Sequence, residues 1–314
     1  MKVVFHYFTG PGLRARLDEA ARGELVIDDC AESNDGRFAE LMAEAVVLWH
    51  VLRPVTPEVI DGAPSLRLIQ KIGVGVNTID LGAAEAREIA VCNLPGTNSR
   101  AVAEHALLLM LGALRRSSTY DRATRAGRGW SLGGEIPDTL GELGGRTVGL
   151  IGYGAVPRIL APILEALGAR VLYTARRPHD DAVGAWRELP ELLAESDVVS
   201  LHVPQTPETE RLINAETLAW MKPGAVLVNT ARGGLVDEPA LVAALGSGQL
   251  RAAGLDVFAE EPVDPANPLL ALENVILAPH IAWLTPETFE RSFAVAAENC
   301  RRLRDGRSLL NRVI

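Results

Sequence analysis

The chain has 314 residues, 48% of them hydrophobic, which is long and apolar enough for two domains that each bury a core of their own. Lys and Arg total 31 against 40 Asp and Glu, for a net charge of −9 with no basic run, so nucleic acid and anionic membranes are poor partners. Its cysteines, Cys30, Cys92 and Cys300, are widely spaced and fit neither a disulfide framework nor a metal cluster; no metal site is expected, and a reducing cytoplasm is the natural setting.

Over the first hundred residues strands and helices alternate. Residues 2–8, 24–27, 45–49, 66–72 and 89–92 read as strands, and 13–22, 36–43 and 80–88 carry apolar residues at helical spacing. Such alternation implies a parallel sheet covered by helices. The apolar run Val3-Val4-Phe5 is too short for a secretory signal, and no cleavage pattern follows. After the fourth strand comes the loop Gly73-Val74-Gly75-Val76-Asn77. It stands at a strand's carboxyl end, where open α/β sheets bind ligands, and the amides of Val74, Gly75 and Val76 could grip a carboxylate; a plain tight turn is the alternative.

Residues 99–116 read as a helix capped by Asn98 or Ser99 and apolar on nearly every face over 102–114. A helix of that kind needs cover on all sides, so it is expected to cross between domains or into a partner subunit. Its most apolar part, 106–114, is about half of what a membrane span requires and ends at Arg115-Arg116. Residues 127–145, glycine-rich around Trp130, Pro137 and Leu143, read as an ordered arm or linker.

Residues 147–178 read as strand, glycine turn, helix and parallel strand. Val148, Leu150 and Ile151 lead into Gly152-Tyr153-Gly154, apolar residues recur at helical spacing over 156–167, Gly168 stops the helix, and Val171, Leu172 and Tyr173 follow. Such a turn aims the free N–H groups of a helix start at one point. A dinucleotide pyrophosphate is the usual guest, held here by Gly152, Gly154 and the amides of Ala155 and Val156. Pro157 takes the place of the fingerprint's third glycine; it suits a first helical turn but puts close helix-to-strand packing in question. Where an NAD site carries Asp or Glu for the ribose 2′-hydroxyl stand Thr174, Ala175, Arg176 and Arg177. Two guanidiniums pair with a 2′-phosphate, so NADP(H) is preferred and NAD(H) is the alternative; a solvated arginine pair is the plainer reading.

Beyond residue 178 helices at 189–193 and 214–221 alternate with strands at 197–202, 225–229, 252–257 and 274–277; Asp237 caps another helix. The amphipathic helix 285–303 is expected to return to the first domain. Arg232, Glu261 and His280 each follow a strand on the same side of one sheet. A hydride delivered to a carbonyl leaves an alkoxide that needs a proton, and His280 can carry one near neutral pH. Glu261 would orient the other ring nitrogen, and Arg232 would fork onto the carboxylate of a 2-oxo acid and polarise its carbonyl. Taken singly, a helix-capping Arg, a solvated Glu beside Pro262 and a solvent-facing His are equally good readings.

Seven motifs, VGVNTIDL, PGTNSRAVAEHALLLML, GYGAVPR, LHVPQTPET, LVNTARGGLVDE, AGLDVFAEEP and APHIAW, closely resemble the D-isomer-specific 2-hydroxyacid dehydrogenases over nearly the whole chain. The resemblance implies an α/β protein of two Rossmann-like or flavodoxin-like domains with parallel sheets and an active site in the cleft between them. Residues 1–98 and 284–314 would form the substrate domain and 99–283 the NAD(P)-binding domain. Arg232 is then the substrate anchor, His280 the general acid/base, Glu261 its partner, and Val74, Gly75 and Val76 the carboxylate cradle. Asp256 would stand near the nicotinamide carboxamide, with His202, Val203, Pro204, Thr230 and Ala231 lining the nucleotide cleft. TARRP and HIAW look most like the glyoxylate/hydroxypyruvate reductase branch, commonly NADPH-dependent and homodimeric. Small 2-oxo and 2-hydroxy acids are the implied substrates, with Trp49, Leu52, Arg53 and Trp283 expected to set their identity. Two rivals share the scaffold: a dinucleotide-sensing corepressor with negligible turnover, and formate dehydrogenase, which has no use for the Glu261 and His280 pairing.

Overall fold

Both sheets of the molecule are parallel throughout, as strands that are apolar on both faces and alternate with helices require. The computed structural model describes residues 1–131 and 139–314, which divide into two units, Met1–Asn98 with Leu284–Ile314, and Ser99–Trp283. The first unit begins with β1 (Lys2–His6), α1 (Pro11–Ala21), β2 (Val26–Cys30), α2 (Asp35–Met42), β3 (Val47–His50), α3 (Pro57–Asp61), β4 (Leu68–Lys71), α4 (Leu81–Ala86) and β5 (Ala90–Cys92). Its strand order, β2-β1-β3-β4-β5, is that of a doubly wound sheet. The second unit carries α5 (Ser99–Arg115), α6 (Ser117–Arg125), β6 (Thr147–Ile151), α7 (Ala155–Ala166), β7 (Arg170–Thr174), β8 (Ala185–Trp186), α8 (Leu189–Glu195), β9 (Val198–Leu201), α9 (Ala215–Trp220), β10 (Ala225–Asn229), α10 (Glu238–Ser247), β11 (Leu250–Leu255) and β12 (Val275–Leu277). Here the order is β12-β11-β10-β9-β6-β7-β8, so the direction of winding reverses between β6 and β9.

The last helix, α11 (Pro286–Arg304), belongs to the first unit. Phe293 packs edge-on against Phe5 of β1 and stacks on Trp49 of β3, each at 5.4 Å between centroids. Asn299 donates to the Gln70 side chain of β4 at 2.7 Å, which pairs two buried amides. This corrects one expectation. Trp49 is fully buried in the core and meets no substrate, because β3 is covered on both faces and all four of its residues are inside. Arg53 is engaged by the Glu32 carbonyl and by Asp35.

Helix α5 buries Ala103, Ala106, Leu109, Met110, Ala113 and Leu114 against α7 and the strands β10, β11 and β12. Leu108 and Leu111 are 61% and 37% exposed, so the cover expected on every face is not supplied by the described chain. The nine-residue α6 and the two-residue β8 were not expected; α6 buries only Ala123, too little for an apolar period to register. Of the glycine-rich stretch, Trp130 is exposed and Leu143 buried, while Pro137 lies outside the described residues. No helix among the described residues is long and apolar enough to cross a membrane.

Candidate active site

Where a doubly wound sheet reverses direction, the loops leaving the two central strands part and open a crevice. Here those loops follow β6 and β9, and they touch at one point. Gly152 has φ 98°, and a Cβ on it would stand 2.6 Å from the His202 carbonyl oxygen and 2.9 Å from Val203 Cγ1, so only glycine lets the turn close. The Gly152 N–H donates to Thr174 O at 2.9 Å, which joins the turn to the end of β7. Gly154 faces open space and caps α7 without a side-chain hydrogen bond, leaving the Ala155 and Val156 N–H groups for an anion.

Pro157 is buried in the first turn of α7, where its missing N–H has no helical partner to lose, and the helix continues with Leu160, Ala161 and Leu164 in the core. The packing that the third glycine usually secures is met by a buried proline. At the carboxyl ends of β9 and β10, His202 Nε2 and Thr230 Oγ1 are buried with no hydrogen-bond partner among the described residues. Burial pulls the His202 imidazole down to about 3, so the ring is neutral at working pH. Pro204 and Ala231 lie on the same two loops: Pro204 O accepts from Thr209 Oγ1 at 2.7 Å, and Ala231 N donates to Asn229 Oδ1 at 3.0 Å. A close-approach glycine, free amides and unmet polar atoms at strand ends fit a dinucleotide. Past Thr174 and Ala175, Arg176 and Arg177 are exposed and make no hydrogen bond or ion pair among the described residues.

Of the three residues expected to do chemistry, Glu261 and His280 meet side chain to side chain, while Arg232 Nη1 donates to Ala231 O at 2.6 Å and its loop packs on the one that carries Glu261. Asn229 Nδ2 donates to Arg232 O at 2.8 Å and fixes the loop after β10. A Cβ on Gly233 would lie 1.8 Å from the Phe258 carbonyl, so this loop packs backbone to backbone on the loop after β11. That second loop carries Glu261. Its Oε1 accepts from Phe258 N at 3.0 Å and its Oε2 from His280 Nδ1 at 2.6 Å. Burial would raise the Glu261 carboxyl, but the His280 hydrogen bond, the Phe258 N–H and the Arg232 guanidinium outweigh it and hold the carboxyl below its ordinary range. Burial lowers the Arg232 guanidinium, with Glu261 pulling the other way, and an arginine so placed stays charged.

His280 adopts a left-handed backbone at φ 55°, a conformation that its surroundings must enforce. Its N–H donates to Asp256 O at 2.7 Å, its carbonyl accepts from Trp283 Nε1 at 3.0 Å, and Asp256 Oδ1 and Oδ2 accept from Ile281 N at 2.8 Å and Ala282 N at 2.9 Å. Asp256, which the resemblance places at the cofactor's carboxamide, is fully buried with both oxygens committed to this turn. Burial raises its carboxyl against those two N–H groups and the nearby His105. Its physical task here is to build the corner that presents His280. Sequence reading also passed over Glu238, which accepts from Ala259 N at 2.6 Å and from Asn267 Nδ2 at 2.9 Å and so pins the Glu261 loop to α10. An acidic residue in a first helical turn looks the same whether it serves the helix dipole or a distant loop. In the first unit, the Val74, Gly75 and Val76 N–H groups donate to nothing among the described residues, and Asn93 Nδ2 holds Val74 O at 2.9 Å.

Residues 107–282 match the family model described as D-isomer specific 2-hydroxyacid dehydrogenase, NAD binding domain. A glyoxylate reductase of Aeropyrum pernix is 42% identical over 282 residues, 86% of this chain and 84% of that one. A hydroxypyruvate reductase of Blautia hydrogenotrophica is 34% identical over 95% of each chain. Relatives named D-3-phosphoglycerate dehydrogenase also match; that of Mycobacterium leprae is 41% identical over 79% of this chain and 47% of its own length. Among solved structures, the TT0316 protein of Thermus thermophilus superposes with a TM-score of 0.89 at 38% identity over 100% of both chains. With the glycine turn at the sheet's reversal and the His280, Glu261 and Arg232 loops in contact, the chain belongs to the D-isomer-specific 2-hydroxyacid dehydrogenase family of nicotinamide-dependent oxidoreductases.

Proposed function

We propose that this protein is an NADPH-preferring reductase of small 2-oxo acids of the glyoxylate and hydroxypyruvate type, producing D-2-hydroxy acids reversibly, and that it works as a homodimer in the cytoplasm. The observation that carries the chemistry is the 2.6 Å contact between His280 Nδ1 and Glu261 Oε2. With Nδ1–H given to the carboxylate, Nε2 is the nitrogen left to hand a proton to the carbonyl oxygen. A bound nicotinamide cofactor supplies the hydride. Arg232, charged and largely shielded from water, anchors the substrate carboxylate and polarises the adjoining carbonyl. The free amides of Val74, Gly75 and Val76 are assigned to carboxylate binding.

The exposed Arg176 and Arg177, with no acidic residue at Thr174 or Ala175, support NADPH over NADH. The uncovered Leu108 and Leu111 of α5 support a second copy of the chain, and three free, buried thiols suit a reducing compartment. Near-UV absorbance of NADPH and NADH tests the activity against a panel of 2-oxo acids, with D-3-phosphoglycerate as a substrate for oxidation. Turnover of glyoxylate or hydroxypyruvate, faster with NADPH, is expected. His280→Asn should lower kcat about 10²–10⁴-fold while NADPH still binds. Absence of turnover with every acid in the panel overturns the reading.

A further inference from the structure

Tyr153 is the middle residue of the Gly152-Tyr153-Gly154 turn, a place where the nucleotide fingerprint asks for no particular side chain. Its buried ring lies against that of Tyr173 in β7, with centroids 4.3 Å apart. Neither phenol is turned to solvent. Tyr153 Oη accepts from Val183 N at 2.7 Å and donates to Val183 O at 3.2 Å, while Tyr173 Oη accepts from His179 N at 2.8 Å. Both tyrosines therefore grip the backbone of the segment between β7 and β8. Trp186 Nε1 adds a bond to Ala175 O at 3.2 Å, and Arg158 of α7 lies over the Tyr153 ring at 5.2 Å while pairing with Asp181. Residues 175–184 are thus tied at Ala175, His179, Asp181 and Val183. Arg176 and Arg177 are carried between these ties, exposed and unpartnered among the described residues.

A guanidinium pair on a free loop would lose part of its binding free energy in ordering that loop. One already held in place does not. We propose that Tyr153 and Tyr173 are positioning residues for cofactor choice: through Val183 and His179 they lock the arginine-bearing loop to the glycine turn, so that the pair is set in advance for a ribose 2′-phosphate. The proposal rests on the NADPH reading above.

Titrating the full-length wild type and the Tyr153→Phe/Tyr173→Phe double variant with NADPH and with NADH, by calorimetry, separates the two claims. The Phe rings keep the core filled and remove only the hydroxyls. The ratio of Kd for NADPH to Kd for NADH should rise about tenfold in the double variant, the size expected when part of what the lost hydroxyl hydrogen bonds contribute to loop order is passed on to 2′-phosphate binding. If the wild type prefers NADPH and the double variant keeps its ratio, or weakens for both cofactors equally, the positioning role is overturned and the NADPH reading stands. If the wild type binds NADH at least as tightly, both fall. Should the double variant fail to melt cooperatively, Tyr173→Phe alone decides by the same ratio, with a shift of about threefold expected.

Discussion

Two histidines of this chain, His6 and His280, have contrasting surroundings. His6 ends β1 with its ring stacked on Phe38 at 3.7 Å, and burial together with the Arg53 guanidinium pulls it down to about 4. His280 instead receives the Glu261 carboxylate. For His6 the folded value lies below that of an unfolded histidine, about 6.5, so the unfolded chain takes up the proton first as the pH falls. The stability that neutral His6 contributes is complete above about pH 6.5 and is lost progressively towards pH 4, at roughly 1.4 kcal/mol per pH unit for one group. His50 and His202, both lowered by burial, act in the same sense. Since His6 Nε2 has no hydrogen-bond partner among the described residues, His6→Leu should cost little near pH 7.5. Urea unfolding at pH 7.5 and pH 5 should show a smaller drop for His6→Leu than for wild type; equal drops would clear His6 of the effect.

At the scale of elements, the positions of the loops proposed to carry chemistry were legible because each follows an apolar strand and opens with residues that strands and helices avoid. Helix starts were legible too: Asp80, Asn214 and Asp237 each accept a backbone N–H in the first turn of their helix. What sequence could not give is which way a doubly buried strand faces and what a side chain reaches after a loop. Trp49 belongs to the first kind, Asp256 and Glu238 to the second. Gly233 makes the point testable. Its missing Cβ is what allows the Arg232 loop to lie on the Phe258 carbonyl, so Gly233→Ala must push two backbones apart and move Arg232 and Glu261 together. A loss at or above the ~1–3 kcal/mol usual for overpacking is expected, with a fall in kcat. Gly154→Ala meets nothing within 4 Å and should leave Tm unchanged. A Gly233→Ala protein with the wild-type Tm and kcat would show that the loops are not coupled there.

Across the whole molecule, the exposed leucines of α5 predict the assembly. Leu108→Glu with Leu111→Glu puts two charges on a face proposed to be covered by a second chain, and should halve the sedimenting mass while leaving the thermal transition of each unit in place. A wild-type monomer, or a double variant that still sediments as a dimer, removes α5 from the interface. One more consequence follows from the last helix. Phe289 and Phe293 of α11 close the cluster around Phe5, and Trp49 has no other stacking partner among the described residues. Every strand of that sheet is synthesised before residues 99–283, and α11 only after them. At roughly 5–20 residues per second, the nascent sheet waits on the order of ten seconds or more with its aromatic side bare. The middle of the polypeptide can thus reach its native form while the beginning still needs a chaperone's shelter, and the earliest-born segment is the last to mature.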